Sequence, residues 1–492
     1  MFVGGKKKKC LGIKIMQRAE FIVSLIRHDF LVLEMKQKEI FNDLVLELIK
    51  INNNQEIDFN GNFFGSIRAD NGLSVIFNKK ASSLLNNYVE TLYENYSNKN
   101  RVDFRTYERV SHREIANTIT SDSFETNDID EAIKSIRKKI EEKFKDIETI
   151  KTTHHFPATT FIDKFKESIK IGSIYIRSTE QWLQEVDFSP DLFTWYEKNA
   201  SDKSWKLEVL AGLKKELEVE EMSDVAKTVY RTIKNNNSMV SVEIKGYEPV
   251  LSEKFARQVC KTALDMISLT LGHQSIFYNN ILQLERLPVL NYGEFTENNG
   301  YLNLPSSGIS KLFVPVLDEK QYDYAYDLIN QMLEPYSFII NGVLNPEIAK
   351  YPILTSKWVF ALNWYAEGMR ESNDAIAVAK LASCLDTLSS SGKYKGIKQV
   401  LHNVYNSDDN YCLFGDKDLN PITIHTFVKR FYDDSRSRIL HGTVKNMLES
   451  FADDRNRLAI VARWVLLDLA NKLSAYDGSD DEKAFRTMKY DD

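Results

Sequence analysis

The C-terminal third of the chain consists of segments whose apolar residues recur at helical spacing, and this pattern constrains the fold most strongly. In the stretch DAIAVAKLASCLDTLSS (374–390), Val378, Leu381 and Leu385 fall on one helix face. Helices with one apolar face and short connections pack antiparallel into a bundle. We therefore predict a bundle of four or five helices within 346–478. The predicted helices span 355–372, 374–390, 392–406, 422–442 and 455–473, and a polar loop runs from 407 to Pro421.

Upstream of the bundle, helical and strand patterns alternate, which indicates an α+β fold class. Asp70, Asn71 and Gly72 lie between two short β-rich runs, a strong hairpin signal. The fold class is thus α+β, with a mixed N-terminal region of short strands and a hairpin followed by an all-α C-terminal helical bundle. The further predictions are strands at 171–176 and 240–249, a loop at 292–310, and helices at 35–50, 81–97, 128–148, 224–235 and 253–272, the last capped by Ser252.

These patterns divide the chain into five predicted regions. A flexible basic tail is expected at 1–34, and an acidic tail that frays is expected at 479–492. Between them we predict an N-terminal α+β region at 35–165, a middle α+β region at 166–345 and the helical bundle at 346–478. The middle region is the candidate sensor or regulatory part of the chain.

Composition excludes several classes of protein. With 43% hydrophobic and 27% charged residues, the 492-residue chain is expected to be globular and to bury a real core. Its formal net charge of -6 means that any nucleic-acid site should be a local basic patch. No window contains 18 uninterrupted apolar residues, so no transmembrane helix is predicted.

The N-terminus and the cysteines favour a cytoplasmic location. The lysine run at 6–9 precedes apolar residues and superficially resembles a secretory signal, but charged residues interrupt the apolar part. Contact of this run with nucleic acid or a membrane surface is the alternative. No two cysteines form a CxxC motif or a zinc site, which fits inert thiols in a reducing cytosol. The four cysteines are Cys10, Cys260, Cys384 and Cys412.

The strongest candidate for chemistry is the stretch FYDDSRSRILHGTVKN (431–446), in which four residues separate Arg436 from His441. A histidine moves protons near neutral pH, and an arginine binds phosphate and stabilises charge that builds on phosphorus. Together the two side chains can cleave RNA without a metal ion. No cluster of metal ligands accompanies them, and no cofactor is predicted.

The spacing alone is not specific, because Arg105 and His112 form a second arginine–histidine pair. That pair lies in RVDFRTYERVSHREI, which mixes alternation with charge and has no long apolar helix beside it. His154 and His155 are adjacent, and adjacent side chains diverge on a regular backbone, so they are not expected to bind a metal together. Three further histidines are interpreted as structural: His273, His402 and His425.

Structural interpretations of the first pair also stay open. Arg436 could simply pair with Asp433 or Asp434, which precede it closely in the chain. His441 could cap a kinked helix immediately before Gly442. The structural context of Arg436 and His441 within the bundle is needed to distinguish these interpretations from catalysis.

Three segments of the C-terminal third resemble the HEPN superfamily, most closely its Apea-like branch. ALNWYAEGMRESNDAIAVAKLASCLDTL resembles the family's Trp-Tyr motif and the second helix that ends in Leu-Glu-x-Leu. RFYDDSRSRILHGT resembles its tyrosine followed by Arg-Ser-x-x-x-His-Gly, and the third segment is the long closing helix. Asp386 stands where the family usually has Glu, which keeps the carboxylate but shortens its reach.

The resemblance implies a metal-independent endoribonuclease in which the ribose 2′-OH attacks the neighbouring phosphorus. His441 would be the general base or acid, Arg436 would bind the scissile phosphate, and Asp386 would orient one of them. A hydrogen bond to the site and contacts with the substrate backbone would come from the neighbouring residues. These implied substrate-binding residues are Ser437, Arg438 and Tyr432.

Helix geometry also predicts that the chain forms a homodimer. Positions five apart on an α-helix differ by about 140° at roughly 3.6 residues per turn, so Arg436 and His441 should not share a face. Two copies meeting across a twofold axis through the bundle would bring both pairs into one cleft. The family resemblance also implies dimeric active sites.

The architecture, a C-terminal HEPN-like effector that follows a large N-terminal region, resembles that of bacterial abortive-infection proteins, which implies an RNA-cleaving effector that acts against phage. A phage-derived trigger would then act through the N-terminal region, since an unrestrained ribonuclease would harm its host. Two alternatives stay open. One is a non-catalytic RNA- or protein-binding module on the same scaffold, and the other is a toxin neutralised by an antitoxin partner.

Overall fold

A computed structural model gives the fold and divides the chain into two compact units. The first comprises Met1–Thr152 with Lys245–Glu253, and the second comprises Thr153–Ile244 with Lys254–Asp492. Among the described helices, none is both long enough and apolar enough to span a bilayer. The predicted tail at 1–34 lies outside the described residues. The structure describes residues 35–51, 65–122, 124, 128–162, 165, 167–189, 204–285, 291–294, 297–298, 301–302, 306–309, 318–416, 419–444, 446 and 448–489.

The first unit packs helices against a β-hairpin around one hydrophobic core. The hairpin turns at Asn71 and Gly72, where Gly72 has a φ of +84°, so the predicted turn is confirmed. Phe41 and Tyr88 are fully buried, with ring centroids 5.0 Å apart. Its elements are α1 (35–51), β1 (Gly65–Arg68), β2 (Ser74–Phe77), α2 (Lys79–Glu94), α3 (Phe104–Ile119) and α4 (Ile129–Phe144).

A five-stranded sheet with the order β4-β5-β6-β3-β7 forms one layer of the second unit. Its strands are β3 (Lys151–Thr159), β4 (Ile169–Ile171), β5 (Ile174–Ser178), β6 (Ser238–Lys245) and β7 (Ile281–Leu282). β5 pairs antiparallel with β4 and β6, and the register places Ile174 opposite Val242, both buried. The single strand predicted at 171–176 is wrong, because Gly172, with a φ of +58°, turns the chain between β4 and β5.

Short strand pairs follow this sheet along the chain, and helices lie between its strands. The predicted loop at 292–310 contains short antiparallel pairs of strands, β8 with β11 and β9 with β10. These strands are β8 (Asn291–Glu294), β9 (Glu297–Asn298), β10 (Tyr301–Leu302) and β11 (Ser306–Ile309). The helices of this part are α5 (Thr179–Glu185), α6 (Ser204–Leu213), α7 (Asp224–Ile233), α8 (Pro249–Leu271) and α9 (Gln274–Asn279).

Helix α8 begins earlier than predicted, because Glu248 rather than Ser252 caps it. The Glu248 carboxylate accepts the backbone N–H groups of Val250 at 2.9 Å and Leu251 at 3.0 Å. Pro249 occupies the first helical position, where its missing N–H costs nothing. Ser252 lies inside the first turn and donates its N–H to the Glu248 carbonyl. The Glu-Pro pair, rather than the serine, was the signal for this helix start.

The C-terminal region is helical, as predicted, and forms a bundle. Trp358 is fully buried at its centre and donates its Nε1–H to the Leu466 carbonyl at 2.9 Å. The first of its helices was not predicted; it starts at a capping box formed by Asp318 and Gln321. The helices are α10 (Glu319–Leu344), α11 (Pro352–Arg370), α12 (Asp374–Leu388), α13 (Lys393–Tyr405), α14 (424–440) and α15 (Ala452–Ala475).

Two details of this region differ from the prediction. The polar loop before Pro421 contains a hairpin, β12 (Cys412–Asp416) with β13 (Leu419–Thr423), so the region is not wholly helical. The chain end does not fray over 484–488, because Phe485 and Met488 are buried. There, Arg486 donates from Nε to the Ser389 carbonyl at 3.0 Å. Within the described ranges, 3-10 helices occur at Lys99–Arg101, Ile147–Thr149, Val219–Glu221, Gln283–Glu285 and Ala484–Arg486.

The cap at Glu248 yields a stability prediction. Its carboxylate is buried and also accepts a hydrogen bond from Thr106 Oγ1 at 2.9 Å. Glu248→Ala removes the cap and leaves several partly buried donors without this partner, so we expect it to lower the free energy of unfolding by about 2 kcal/mol. Urea unfolding followed by circular dichroism measures this change. Glu90→Ala, an exposed glutamate on α2, is the matched control; an equal loss in both variants would refute the capping role.

Candidate functional site

Helix α14, which carries Arg436 and His441, is not a regular α-helix. It begins as an α-helix over Ile424–Lys429, continues as a π-helix over Arg430–Ser437 and ends with one α-helical turn, Arg438–Leu440. A π-helix replaces the usual hydrogen bonds with bonds between residues five apart, and such segments often occur at functional sites.

One buried carboxylate binds two residues of the π-helical segment. Asp454, at the start of α15, accepts hydrogen bonds from Arg430 Nε and Ser435 Oγ, each at 2.7 Å. On an α-helix, residues five apart point about 140° away from each other. The wider turn brings them to the same side, and Ser435 Oγ also lies 3.3 Å from the Arg430 carbonyl.

Arg436 lies at the end of this segment and faces α12. Its Nη2 donates to Asp386 Oδ2 at 3.3 Å, and its guanidinium carbon is 5.3 Å from the centroid of the Tyr432 ring. Both partners of the ion pair are about four-fifths buried, since each side chain is 21% exposed. The structure therefore brings together Arg436, Asp386 and Tyr432. The ion pair with Asp433 or Asp434, which the sequence left open, is not found among the described residues.

The ion pair leaves hydrogen-bonding capacity unused. Arg436 Nε and Asp386 Oδ1 are both buried, and neither has a hydrogen-bond partner within the described part of the chain. A buried polar atom without a partner costs on the order of 1–3 kcal/mol. A group that accepts from the guanidinium, such as a phosphate oxygen, would relieve part of this cost.

His441 ends the helix, and the backbone around it explains why glycine follows. The N–H of Gly442 donates to the Ile439 carbonyl at 3.2 Å, and that of Thr443 donates to the Arg438 carbonyl at 2.9 Å. This pair of bonds is a Schellman motif, which needs a left-handed residue after the cap. Gly442 supplies it with a φ of +66°. The capping interpretation of the His-Gly pair therefore has a structural basis.

The His441 imidazole remains available for chemistry. Its residue is exposed, and its ring forms no hydrogen bond or ion pair with any residue that the structure describes. In particular, no such contact joins it to Arg436. The expected 140° offset between these two residues assumed a regular α-helix, and that premise is wrong because the π-helix extends through Ser437.

The other implied substrate-binding residues divide into two kinds. Arg438 is held by Glu449 through two parallel hydrogen bonds of 2.8 Å, so substrate contact would require it to exchange partners. Ser437 is partly buried, and its carbonyl accepts the His441 N–H at 3.0 Å. Sequence reasoning missed Asp454 and Glu449, because no local pattern distinguishes them from other acidic residues near a helix start.

The second arginine–histidine pair lies on helix α3, so the sequence interpretation of that stretch as alternating was wrong. Arg105 is exposed, whereas His112 is partly buried and its Nε2 has no partner among the described residues. Burial lowers the pKa of His112, and this effect outweighs the negative charge of Glu108, which raises it. A partly buried imidazole about two helical turns from an exposed arginine does not form a phosphate-binding cleft.

A cluster around Asp409 joins two histidines that sequence reasoning treated separately. Asp409 binds His402 Nε2 at 2.8 Å, lies 3.8 Å from His425 Nδ1 and pairs with Lys398. Burial raises the pKa of Asp409, but the hydrogen bonds from Lys398 and His402 outweigh it, so the pKa is lowered. Tyr394 completes the group at 3.2 Å from His425 Nδ1. These contacts tie the start of α14 to α13.

We also searched for metal-binding groups and for similar proteins. Among the described residues, no group of three or more His, Cys, Asp or Glu side chains could hold a metal ion. Cys260 and Cys384 are buried, and burial raises the pKa of both thiols, which fits the expectation of inert cysteines. No protein-family model, curated protein or solved structure matches the chain.

The Schellman motif yields a second prediction. A Cβ at Gly442 would meet open space, so Gly442→Ala should cost only the strain of the left-handed backbone, about 1–2 kcal/mol. Gly442→Asn should cost less, because asparagine tolerates this conformation. Urea unfolding of the two variants measures both costs. Equal stability of the alanine variant and the original chain would contradict the assigned backbone geometry.

Proposed function

We propose that the chain is a metal-independent endoribonuclease of the HEPN type and that α12 and α14 supply its active site. The observation that carries the proposal is the Arg436–Asp386 pair, which the π-helix holds partly buried with unused hydrogen-bonding atoms. His441, exposed on the same helix, supplies the proton-transfer group. The sequence motif Arg-Ser-x-x-x-His-Gly supports the assignment.

In the proposed reaction, the ribose 2′-oxygen attacks the adjacent phosphorus. The O2′–P bond forms while the P–O5′ bond breaks, which leaves a 2′,3′-cyclic phosphate and a 5′-hydroxyl. One imidazole accepts the proton of the 2′-OH, and the leaving 5′-oxygen receives a proton from an acid. Neutral and protonated forms of His441 fill these two roles.

Arg436 would bind the scissile phosphate and stabilise the charge that develops on its oxygens. A guanidinium has five N–H donors, and the contact with Asp386 uses one of them. Asp386 would act as a positioning residue, since its carboxylate fixes the side chain of Arg436 against Tyr432. The shorter aspartate reaches the arginine at 3.3 Å, so the departure from the family's usual glutamate does not break the pair.

A homodimer through the bundle remains part of the proposal, now on chemical grounds. The base and the acid act on opposite sides of the phosphorus, and the single His441 of each chain provides only one of them at a time. A second copy of the chain, related by a twofold axis, would supply the other histidine. We further propose a cytoplasmic, anti-phage role that a phage-derived trigger or an antitoxin partner controls.

One observation favours a different function. Arg436 already has a carboxylate partner, so the pair could stabilise a non-catalytic bundle that binds RNA or protein. In that case, loss of the arginine would change stability without changing any reaction. Measuring the rate of RNA cleavage therefore distinguishes the ribonuclease from the non-catalytic binding module.

The first test is substitution at the site. His441→Ala should lower the rate of RNA cleavage in EDTA by about 10²–10⁴-fold, because it removes the general acid–base group. Arg436→Ala should lower it by about 10²–10³-fold through lost transition-state stabilisation. Arg436→Lys should recover little, because an ammonium lacks the planar fork that binds phosphate. Cleavage of a doubly labelled RNA by the purified full-length chain measures these rates.

The matched control is His425→Ala, an exposed histidine at the other end of the same helix. It should cleave RNA at the original rate. Thermal unfolding of all variants separates loss of chemistry from loss of fold. If His441→Ala and Arg436→Ala are folded and cleave as fast as the original chain, the ribonuclease proposal fails.

The dimer gives a separate prediction. Specific activity per chain should fall when the protein is diluted below the dissociation constant of the dimer, because each active site needs two copies. Sedimentation velocity over the same concentrations reports the fraction of dimer. A chain that sediments as a monomer and keeps its full specific activity would exclude the shared site while leaving the ribonuclease proposal intact.

A further inference from the structure

Helix α12, which carries Asp386, ends in a backbone conformation that its own residues do not favour. The Ser390 N–H donates to the Thr387 carbonyl at 3.0 Å, and the Ser391 N–H donates to the Asp386 carbonyl at 3.1 Å. These two bonds form a Schellman motif, which needs a left-handed residue after the cap. Gly442 supplies that residue at the end of α14, but here it is Ser390, with a φ of +53°, and Ser391 follows at +54°. Two serines therefore hold a conformation that usually belongs to glycine.

Contacts of the Ser390 side chain explain why a serine occupies this position. A left-handed conformation costs an L-residue free energy and persists only where the surrounding structure fixes it, often at functional sites. Ser390 Oγ accepts a hydrogen bond from Lys357 Nζ of α11 at 2.6 Å and donates one to the Glu482 carbonyl. Glycine would relax the backbone but could form neither bond. The end of α12 is thus held by a segment that lies far away in the chain.

This segment comprises residues 479–488, which we call the C-terminal strap. Its start is fixed to α11, since the Asp480 carboxylate accepts the Ile353 N–H at 2.9 Å. Its end is fixed in the core, because Phe485 is fully buried and its carbonyl accepts from Asn403 Nδ2 of α13 at 3.1 Å. The strap therefore connects the start of α11 with α13 and contacts the turn between α12 and α13.

Arg486 of the strap binds this turn most closely. Its Nε and Nη2 both donate to the Ser389 carbonyl, at 3.0 and 2.5 Å. A Cβ at Gly392 would come within 2.5 Å of Nη2, so a larger residue there would displace the guanidinium. Ser389 is fully buried, and its Oγ donates to the Asp386 carbonyl at 3.0 Å. Hydrogen bonds therefore link Arg486 through one residue to the backbone of Asp386.

We propose that Arg486 is a positioning residue of the candidate site and holds the end of α12 so that Asp386 meets Arg436. Without this contact, the left-handed serines lose part of the structure that fixes them, and the last turn of α12 relaxes. A small movement separates the ion pair, because its 3.3 Å contact is already long for an N–H···O hydrogen bond. The effect on catalysis rests on the ribonuclease proposed above, whereas the coupling between strap and ion pair does not.

The chain offers a matched control in Arg463 of α15. Like Arg486, it donates from Nε and Nη2 to main-chain carbonyls at a helix end, those of Leu269 at 2.9 Å and Thr270 at 2.5 Å. A glycine, Gly272, leaves room for its guanidinium as well. The helix that it holds is α8, which carries no group of the candidate site. Loss of Arg463 therefore reports the general effect of losing such a contact.

Hydrogen exchange followed by mass spectrometry tests the coupling without an assay of activity. In full-length Arg486→Ala, peptides covering 383–393 and 430–440 should exchange about 10-fold faster than in the original chain, because both sides of the ion pair loosen. Arg486→Lys should be intermediate, since an ammonium can donate to the Ser389 carbonyl but lacks the planar pair of donors. In Arg463→Ala, these peptides should exchange at the original rate, and peptides covering 266–272 should exchange faster.

Cleavage of a labelled RNA tests the effect on catalysis. Arg486→Ala should lower kcat by about 10- to 100-fold, as expected when a group that binds the reacting phosphate is misplaced. Arg463→Ala should keep the original kcat. The double variant Asp386→Ala/Arg486→Ala should be no slower than Asp386→Ala alone, because a residue that acts through Asp386 has no further effect once that carboxylate is gone.

Three results would overturn the proposal. Arg486→Ala and Arg486→Lys could both leave exchange over 383–393 and 430–440 unchanged, or Arg463→Ala could accelerate it equally, which would reduce the contact to general stability. The kcat losses of Asp386→Ala and Arg486→Ala could also multiply in the double variant, which would make the two residues independent. Faster exchange in Arg486→Ala of a chain that cleaves no RNA would support the coupling and refute only the ribonuclease proposal.

Discussion

The shape of the candidate site depends on one buried carboxylate, Asp454. It binds Arg430 and Ser435, which are five residues apart, where helix α14 widens into a π-helical turn. The wider turn sets where the next residue, Arg436, leaves the helix, and there it meets Asp386 of α12. Without the Asp454 contacts, a regular α-helix would rotate Arg436 away from this position.

In the motif around His441, some residues stabilise the fold and others are available to a substrate. Gly442 and the Schellman bonds belong to the helix end, and Arg438 is held by Glu449. What remains for a substrate is the exposed imidazole and the unused face of a guanidinium. An arginine that is partly buried but not fully paired is expensive in a purely structural bundle, and a phosphate ligand would relieve that cost.

Much of the fold follows from local patterns in the sequence. The amphipathic helices of the bundle, the turn at Gly72 and the polar–apolar alternation of the strands all depend on residues close together in the chain. The π-helix could not be predicted, because it depends on a contact between Arg430 and Asp454, on different helices. The ion pair of Asp386 with Arg436 was expected from the resemblance alone.

The central claim is that the ribose 2′-OH is the nucleophile in a reaction that this chain catalyses, and the chemistry of the product ends tests it most directly. We would incubate the purified protein with a defined RNA in EDTA and identify the ends by mass spectrometry. The account predicts 2′,3′-cyclic phosphate and 5′-hydroxyl ends, and no cleavage where the 2′-OH is methylated. Products with 3′-hydroxyl and 5′-phosphate ends, or cleavage of the methylated RNA, would contradict it.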